Sequence, residues 1–130
     1  MRWLTQVASV LFAATALAGK VAPTDTFSSF HSKALSSGTP LKLVDTSYIQ
    51  LTDVPRDHSV AILLTALEPR FGCQLCREFQ PEWELLAKSW IKGDKAGESR
   101  LVFGTLDFVD GKDIFQSVCH DPDIRVLALN

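Results

Sequence analysis

At 130 residues the chain holds one domain's worth of sequence, and its 46% apolar content is enough to fill one core. Thirteen Lys and Arg against 15 Asp and Glu leave a formal charge of -2 at pH 7, which argues against the basic footprint of a nucleic-acid binder. Three cysteines are too few for a disulfide scaffold, and a close pair plus one outlier fits a working dithiol better than a staple.

The chain opens with Arg2, an apolar stretch from Val7 to Leu17 broken only by Ser9 and Thr15, and Ala16-Leu17-Ala18 before Gly19. That is the pattern of a secretory signal cut after Ala18, and the stretch is shorter than the ~20 apolar residues of a spanning helix. The implied compartment is oxidising. Residues 19–40 form an N-terminal segment in which Phe27 and Phe30 share one face of a short helix that Lys33, Ala34 and Leu35 continue. Gly38 and Pro40 then stop it. His31 has no partner in sequence and reads as solvated.

Leu41 to Val44 alternates as a first strand, and Asp45, Thr46 and Ser47 supply turn and N-cap chemistry for a helical piece around Tyr48 to Leu51. Asp53 to Asp57 is a loop. The apolar, β-branched run Ser59–Ala66 suits a central strand buried on both faces. His58 precedes that strand, at the opposite end of the sheet from Cys73, and so reads as structural.

The strand delivers the chain to Cys73-Gln74-Leu75-Cys76, where a helix begins. Unpaired N–H groups and the dipole at that helix start favour a thiolate, which lowers the pKa expected of the first cysteine. Two intervening residues put both sulfurs within one turn, so the first can attack a foreign disulfide and the second can resolve it. Phe79, Trp83, Leu86 and Trp90 keep helical spacing on both sides of Pro81, which predicts a kinked helix running to about Ile91. Residues 92–99 read as a loop, 100–108 as a strand, 110–112 as a turn, and Asp113–Val118 as a helix. This β-α-β-α-β-α order predicts an α/β fold with a largely parallel sheet, and a CxxC at a strand-to-helix junction predicts the thioredoxin-like version of it. The rival reading of the cysteines is structural or zinc-bound, with Cys73, Cys76, Cys119 and His120 as a Cys3His set, although two adjacent ligands fit one ion poorly.

The run Pro55-Arg56-Asp57-His58-Ser59-Val60 through Leu64-Thr65-Ala66-Leu67, with Cys73 to Cys76, Glu82 to Trp90, Phe103 to Phe108 and Asp113 to Gln116, resembles the lumenal domain of the thioredoxin-like subunits of oligosaccharyltransferase. Phe71-Gly72 precedes Cys73, so the WCxxC of disulfide isomerases is absent. The resemblance covers roughly Leu41 to Val118. It implies a non-glycosyltransferase subunit in the endoplasmic-reticulum lumen whose CxxC forms transient mixed disulfides with nascent glycoprotein chains, near the other oligosaccharyltransferase subunits. Cys73 is then the attacking and Cys76 the resolving cysteine, and Phe71, Gln74 and Leu75 border the peptide; no metal or other cofactor is implied.

Full-length relatives finish the thioredoxin fold and cross the membrane four times, whereas no spanning segment follows the signal here. The organisation expected is a signal over 1–18, a lumenal segment over 19–40, a C-terminally incomplete thioredoxin-like domain over 41–118 and a divergent tail over 119–130. The alternatives are a secretory-pathway thiol oxidoreductase outside that complex, a small zinc domain, or a peptide-binding module whose dithiol is structural.

Overall fold

A computed structural model describes residues 25–120, with side chains as far as Val118. The expected signal and the tail from Asp121 onward lie outside the described residues. In chain order the elements are α1 (Thr26–Ser37), β1 (Leu41–Leu43), α2 (Asp45–Thr52), β2 (Ser59–Thr65), α3 (Gln74–Gly93), β3 (Leu101–Asp107) and α4 (Lys112–His120). A single 3-10 turn, Pro69–Phe71, stands between β2 and α3. This is the predicted alternation of strands and helices, compatible with a thioredoxin-like fold.

All three strands are parallel, in the order β1-β3-β2. Among the described residues the central place expected for Ser59–Ala66 is taken by β3. Among the described residues β2 pairs on one side only, and apart from Thr65 its interior is half-buried, whereas β3 is hydrogen-bonded on both sides. The two faces of β3 differ. Val102 and Leu106 join Leu43, Leu51, Phe27, Phe30, Ile114 and Val118 in a core beneath α1, α2 and α4. Phe103 and Thr105 meet α3 on the other face, where Trp83 lies 5.4 Å from the Phe103 ring and donates to Thr105 Oγ1 at 3.0 Å.

Local chemistry sets the helix ends. Asp25 accepts from Ser28 N at 3.2 Å to cap α1, and Gly38, at φ +63°, returns its N–H to Ala34 O at 2.8 Å to close it. Ser47 Oγ accepts from Val44 N at 2.9 Å at the start of α2. Asp45 Oδ1 accepts from Ile114 N at 3.2 Å, joining the starts of α2 and α4 through a carboxylate at a helix N-terminus. α3 continues through Pro81 as one helix of 20 residues, the ring removing the N–H that would bond the Arg77 carbonyl.

At the amino-terminal pole of the sheet, Arg100 sits at φ +49°, a left-handed conformation costly for a side chain of this size. It is held by Asp57, whose carbonyl accepts from Nε at 2.9 Å and whose carboxylate accepts from the guanidinium at 2.5 Å, and by the Phe27 ring 4.4 Å away. His58 is buried, with Nε2 donating to Leu51 O at 3.0 Å, so its structural reading stands. His31 is not the solvated residue expected: it stacks on Phe27 at 5.1 Å, with Nε2 3.3 Å from Asp94 O. The Phe27/His31 spacing of four carried that contact, and the missing partner lay 63 residues away.

Gly104 packs under Leu43, where an added Cβ would meet Leu43 Cδ1 at 2.6 Å. Gly104→Ala is expected to lower the unfolding free energy by about 1–3 kcal/mol in urea titration, because fully buried Leu43 has nowhere to retreat. The hydrogen bond from Arg100, followed by the one from His58, holds the Asp57 carboxyl below its ordinary 3.8. A depressed carboxylate stabilises the fold above its unfolded pKa, and the contribution disappears as pH falls through the lower folded value. Asp57→Asn is expected to flatten the loss of thermal stability below about pH 4.

Candidate redox site

The site begins where β2 ends. Thr65 O accepts from Phe108 N at 2.8 Å, and two residues later Leu67 N donates to Asp107 Oδ2 at 3.1 Å. Asp107 Oδ1 accepts from Val109 N at 3.1 Å, so one carboxylate fastens both strand exits. The chain then makes the 3-10 turn and reverses at Gly72, whose N–H reaches Pro69 O at 3.1 Å and whose φ of +61° lies in the left-handed region that favours glycine.

Cys73 follows as the N-cap of α3. Its sulfur accepts from Cys76 N at 3.2 Å, taking the place an Asp or Ser oxygen would fill, and the two cysteines are joined as a disulfide with Cα atoms 5.3 Å apart. Both are half-buried, so the pair lies at the surface while its helix is anchored below by Trp83, Ala87 and Trp90. A sulfur at this position faces the positive end of a helix dipole, which stabilises whatever thiolate reduction releases.

The three residues expected to border the peptide are adjacent to the cysteines in sequence, and all three are exposed. Phe71 is 36% exposed and Leu75 47% exposed, and exposed Gln74 donates through Nε2 to Glu78 Oε1 at 2.7 Å. Arg70 covers Phe71 from 4.9 Å, while the edge-on series Phe71–Phe108 (5.0 Å) and Phe108–Phe115 (5.3 Å) braces the loop against α4. With Phe79 also 36% exposed one turn beyond Leu75, three large apolar side chains near the disulfide are exposed to solvent. On the other side of the loop, an open groove of about 670 Å³ is lined by Lys42, Pro69, Gln80, Glu84, Asp107 and neighbouring residues.

Sequence reasoning did not find Asp107 or Thr65 as parts of this site. A carboxylate ending a predicted strand carries no local sign of a backbone amide 40 residues earlier that will reach it. Cys119 and His120, the outer half of the zinc reading, close α4 beyond the last described side chain, and the Cys73–Cys76 disulfide occupies the other two sulfurs. Among the described residues, no three His, Cys, Asp or Glu side chains gather as metal ligands, and no helix is long and apolar enough to cross a membrane.

Residues 28–120 match the family described as the OST3/OST6 family, transporter family. The zebrafish (Danio rerio) dolichyl-diphosphooligosaccharide–protein glycosyltransferase subunit MAGT1 is 40% identical over 62 residues, 48% of this chain and 19% of its own length. The human (Homo sapiens) protein of the same name is 37% identical over the same number of residues, covering 48% and 18%. Subunit 3 of the same transferase from Saccharomyces cerevisiae is 29% identical over 95 residues, covering 70% and 26%. The matched segment spans about a fifth to a quarter of the length of these relatives.

Asp107→Ala removes the acceptor for two backbone amides and leaves the half-buried Leu67 N–H without a partner. It is expected to cost about 2–3 kcal/mol in denaturant titration and to speed hydrogen exchange at Leu67, with Asp107→Asn intermediate because one acceptor oxygen survives.

Proposed function

This chain belongs to the OST3/OST6 family, and from that premise we propose that it is a thiol–disulfide subunit of oligosaccharyltransferase acting on nascent polypeptides in the endoplasmic-reticulum lumen. The observation that carries the reading is the half-buried Cys73–Cys76 disulfide at the N-cap of α3, bordered by exposed Phe71, Gln74 and Leu75. Sugar transfer belongs to other subunits in this scheme. What this chain contributes is a reversible covalent hold on the acceptor polypeptide.

In the capture step, a thiolate on the nascent chain attacks Cys73 Sγ. The Cys73–Cys76 bond breaks, a mixed disulfide forms, and the electron pair leaves on Cys76 as a thiolate. Release reverses this: Cys76 attacks Cys73 Sγ, the intramolecular disulfide re-forms, and the substrate thiolate departs. From the reduced state, the Cys73 thiolate attacks a substrate disulfide and expels one substrate thiolate, leaving the same mixed disulfide. Apolar contact with Phe71, Leu75 and Phe79 discriminates for unfolded chains, which expose the side chains such a surface receives. Holding a segment extended keeps nearby asparagines accessible to the transferase. Partners are then nascent glycoprotein chains and the remaining subunits of the complex.

Cys76→Ser removes the resolving thiol and is expected to raise the yield of mixed disulfides with secretory glycoproteins about tenfold or more, read on non-reducing gels after acid quenching. Cys73→Ser is expected to abolish them while circular dichroism and urea titration remain close to those of the parent. Mixed disulfides that form equally well without Cys73 would sink the assignment. Co-purification of the trapped species without other transferase subunits would move the protein out of the complex, to a free thiol oxidoreductase.

A further inference from the structure

Among the described residues, two buried side-chain oxygens lack a hydrogen-bond partner: Thr65 Oγ1 and Gln80 Oε1. Buried polar atoms are almost always paired, so each orphan calls for a physical explanation. Both lie on the α3 face of the sheet. Thr65 is opposite Asp107, and the odd-numbered residues of β3 face α3, as the contacts of Trp83 with Phe103 and Thr105 show.

The level of each group along the helix follows from the same contacts. A helix joining two parallel strands runs antiparallel to them. Trp90 packs on Phe103, Trp83 reaches Thr105, and Gln80, about one turn nearer the helix start, lines the groove together with Asp107 and Leu67. Thr65 therefore sits level with Gln80, and Cys76 is on the next turn of the same helical face.

Glu84 settles which way the Gln80 amide points. Nε2 donates to Glu84 Oε1 at 3.2 Å, and the flipped amide would set its oxygen against that carboxylate. Gln80 Oε1 is thus an acceptor without a donor, on a residue one helical turn from Cys76. Thr65 is 2% exposed and carries a hydroxyl that both donates and accepts. In the disulfide neither sulfur has a proton to offer, and a bonded sulfur is a weak acceptor.

We propose that Thr65 and Gln80 are positioning residues for Cys76: they hydrogen-bond its sulfur in the reduced state and are left unpaired in the disulfide, so that the folded chain biases the pair toward the dithiol. The inference rests on the thiol–disulfide reading above. Reduction delivers two electrons and two protons from two glutathione thiols, which become glutathione disulfide, and the Cys73–Cys76 bond becomes two thiols. A Cys76 thiol then donates to Gln80 Oε1 and accepts from the Thr65 hydroxyl. As a thiolate it keeps the second of these bonds.

The test equilibrates the full chain with reduced and oxidised glutathione and reads the disulfide fraction by thiol alkylation. Thr65→Val keeps the shape and removes the hydroxyl, which relieves the orphan in the disulfide and deletes the bond in the dithiol. The equilibrium is expected to move about tenfold toward the disulfide, equivalent to about 30 mV in a two-electron couple. Gln80→Leu is expected to move it the same way, and Thr65→Ser to stay within about twofold of the parent. Should Thr65→Val fail to fold, Gln80→Leu alone decides. An unchanged equilibrium, or a shift toward the dithiol, in a pair that still exchanges with glutathione overturns this inference and leaves the redox function standing. A pair that never exchanges with glutathione overturns both.

Discussion

Both ladders of the sheet are built on one strand. β3 pairs along all of β2 and along the three residues of β1, and it is buried against helices on both faces. Gly104 makes the β1 pairing possible, since Leu43 fills the space a side chain there would need. Leu43, Leu51 and Leu106 are almost wholly removed from water, and each such burial is worth about 1.5–3 kcal/mol, against about 0–1 for any of the exposed ion pairs. The core therefore holds the domain together, and the charged contacts choose among details.

The Cys73–Cys76 disulfide inherits its position from that strand. Trp83 and Trp90 seat α3 on Phe103 and Thr105, which leaves the helix start projecting past the carboxyl ends of β2 and β3. Asp107 then fastens the connecting loop at Leu67, and the edge-on rings of Phe71, Phe108 and Phe115 brace its far side. What remains accessible is the disulfide itself, half-buried, capped by its own sulfur and flanked in sequence by exposed Phe71, Gln74 and Leu75. A rigid scaffold carrying a small reactive turn is the arrangement that covalent capture needs, because the attacking sulfur must be exposed and the resolving sulfur held close behind it.

Chemistry is divided between the two poles of the sheet. At the amino-terminal pole, Arg100, Asp57, His58 and Phe27 form a cluster whose bonds hold the start of β3 against the start of β2. Its histidine is inward and committed to a backbone carbonyl. Toward the carboxyl pole, among the described residues, Thr65 Oγ1 and Gln80 Oε1 are left without a hydrogen-bond partner.

The sequence by itself determined what is written in short spacings. The alternation of strand and helix, the apolar face of α1 at Phe27, Phe30 and Ala34, the left-handed stop at Gly38, and the CxxC at the start of α3 all depend on residues within about four positions of one another. The tertiary structure alone decided that β3 is the central strand among the described residues, that His31 is stacked and reaches Asp94, that Arg100 is locked to Asp57 43 residues away, and that Asp107 holds Leu67. Those outcomes depend on which faces meet once the chain is packed. An apolar run records that a strand will be buried, but not how many neighbours it will have, and a polar side chain records that it can bond, but not to what.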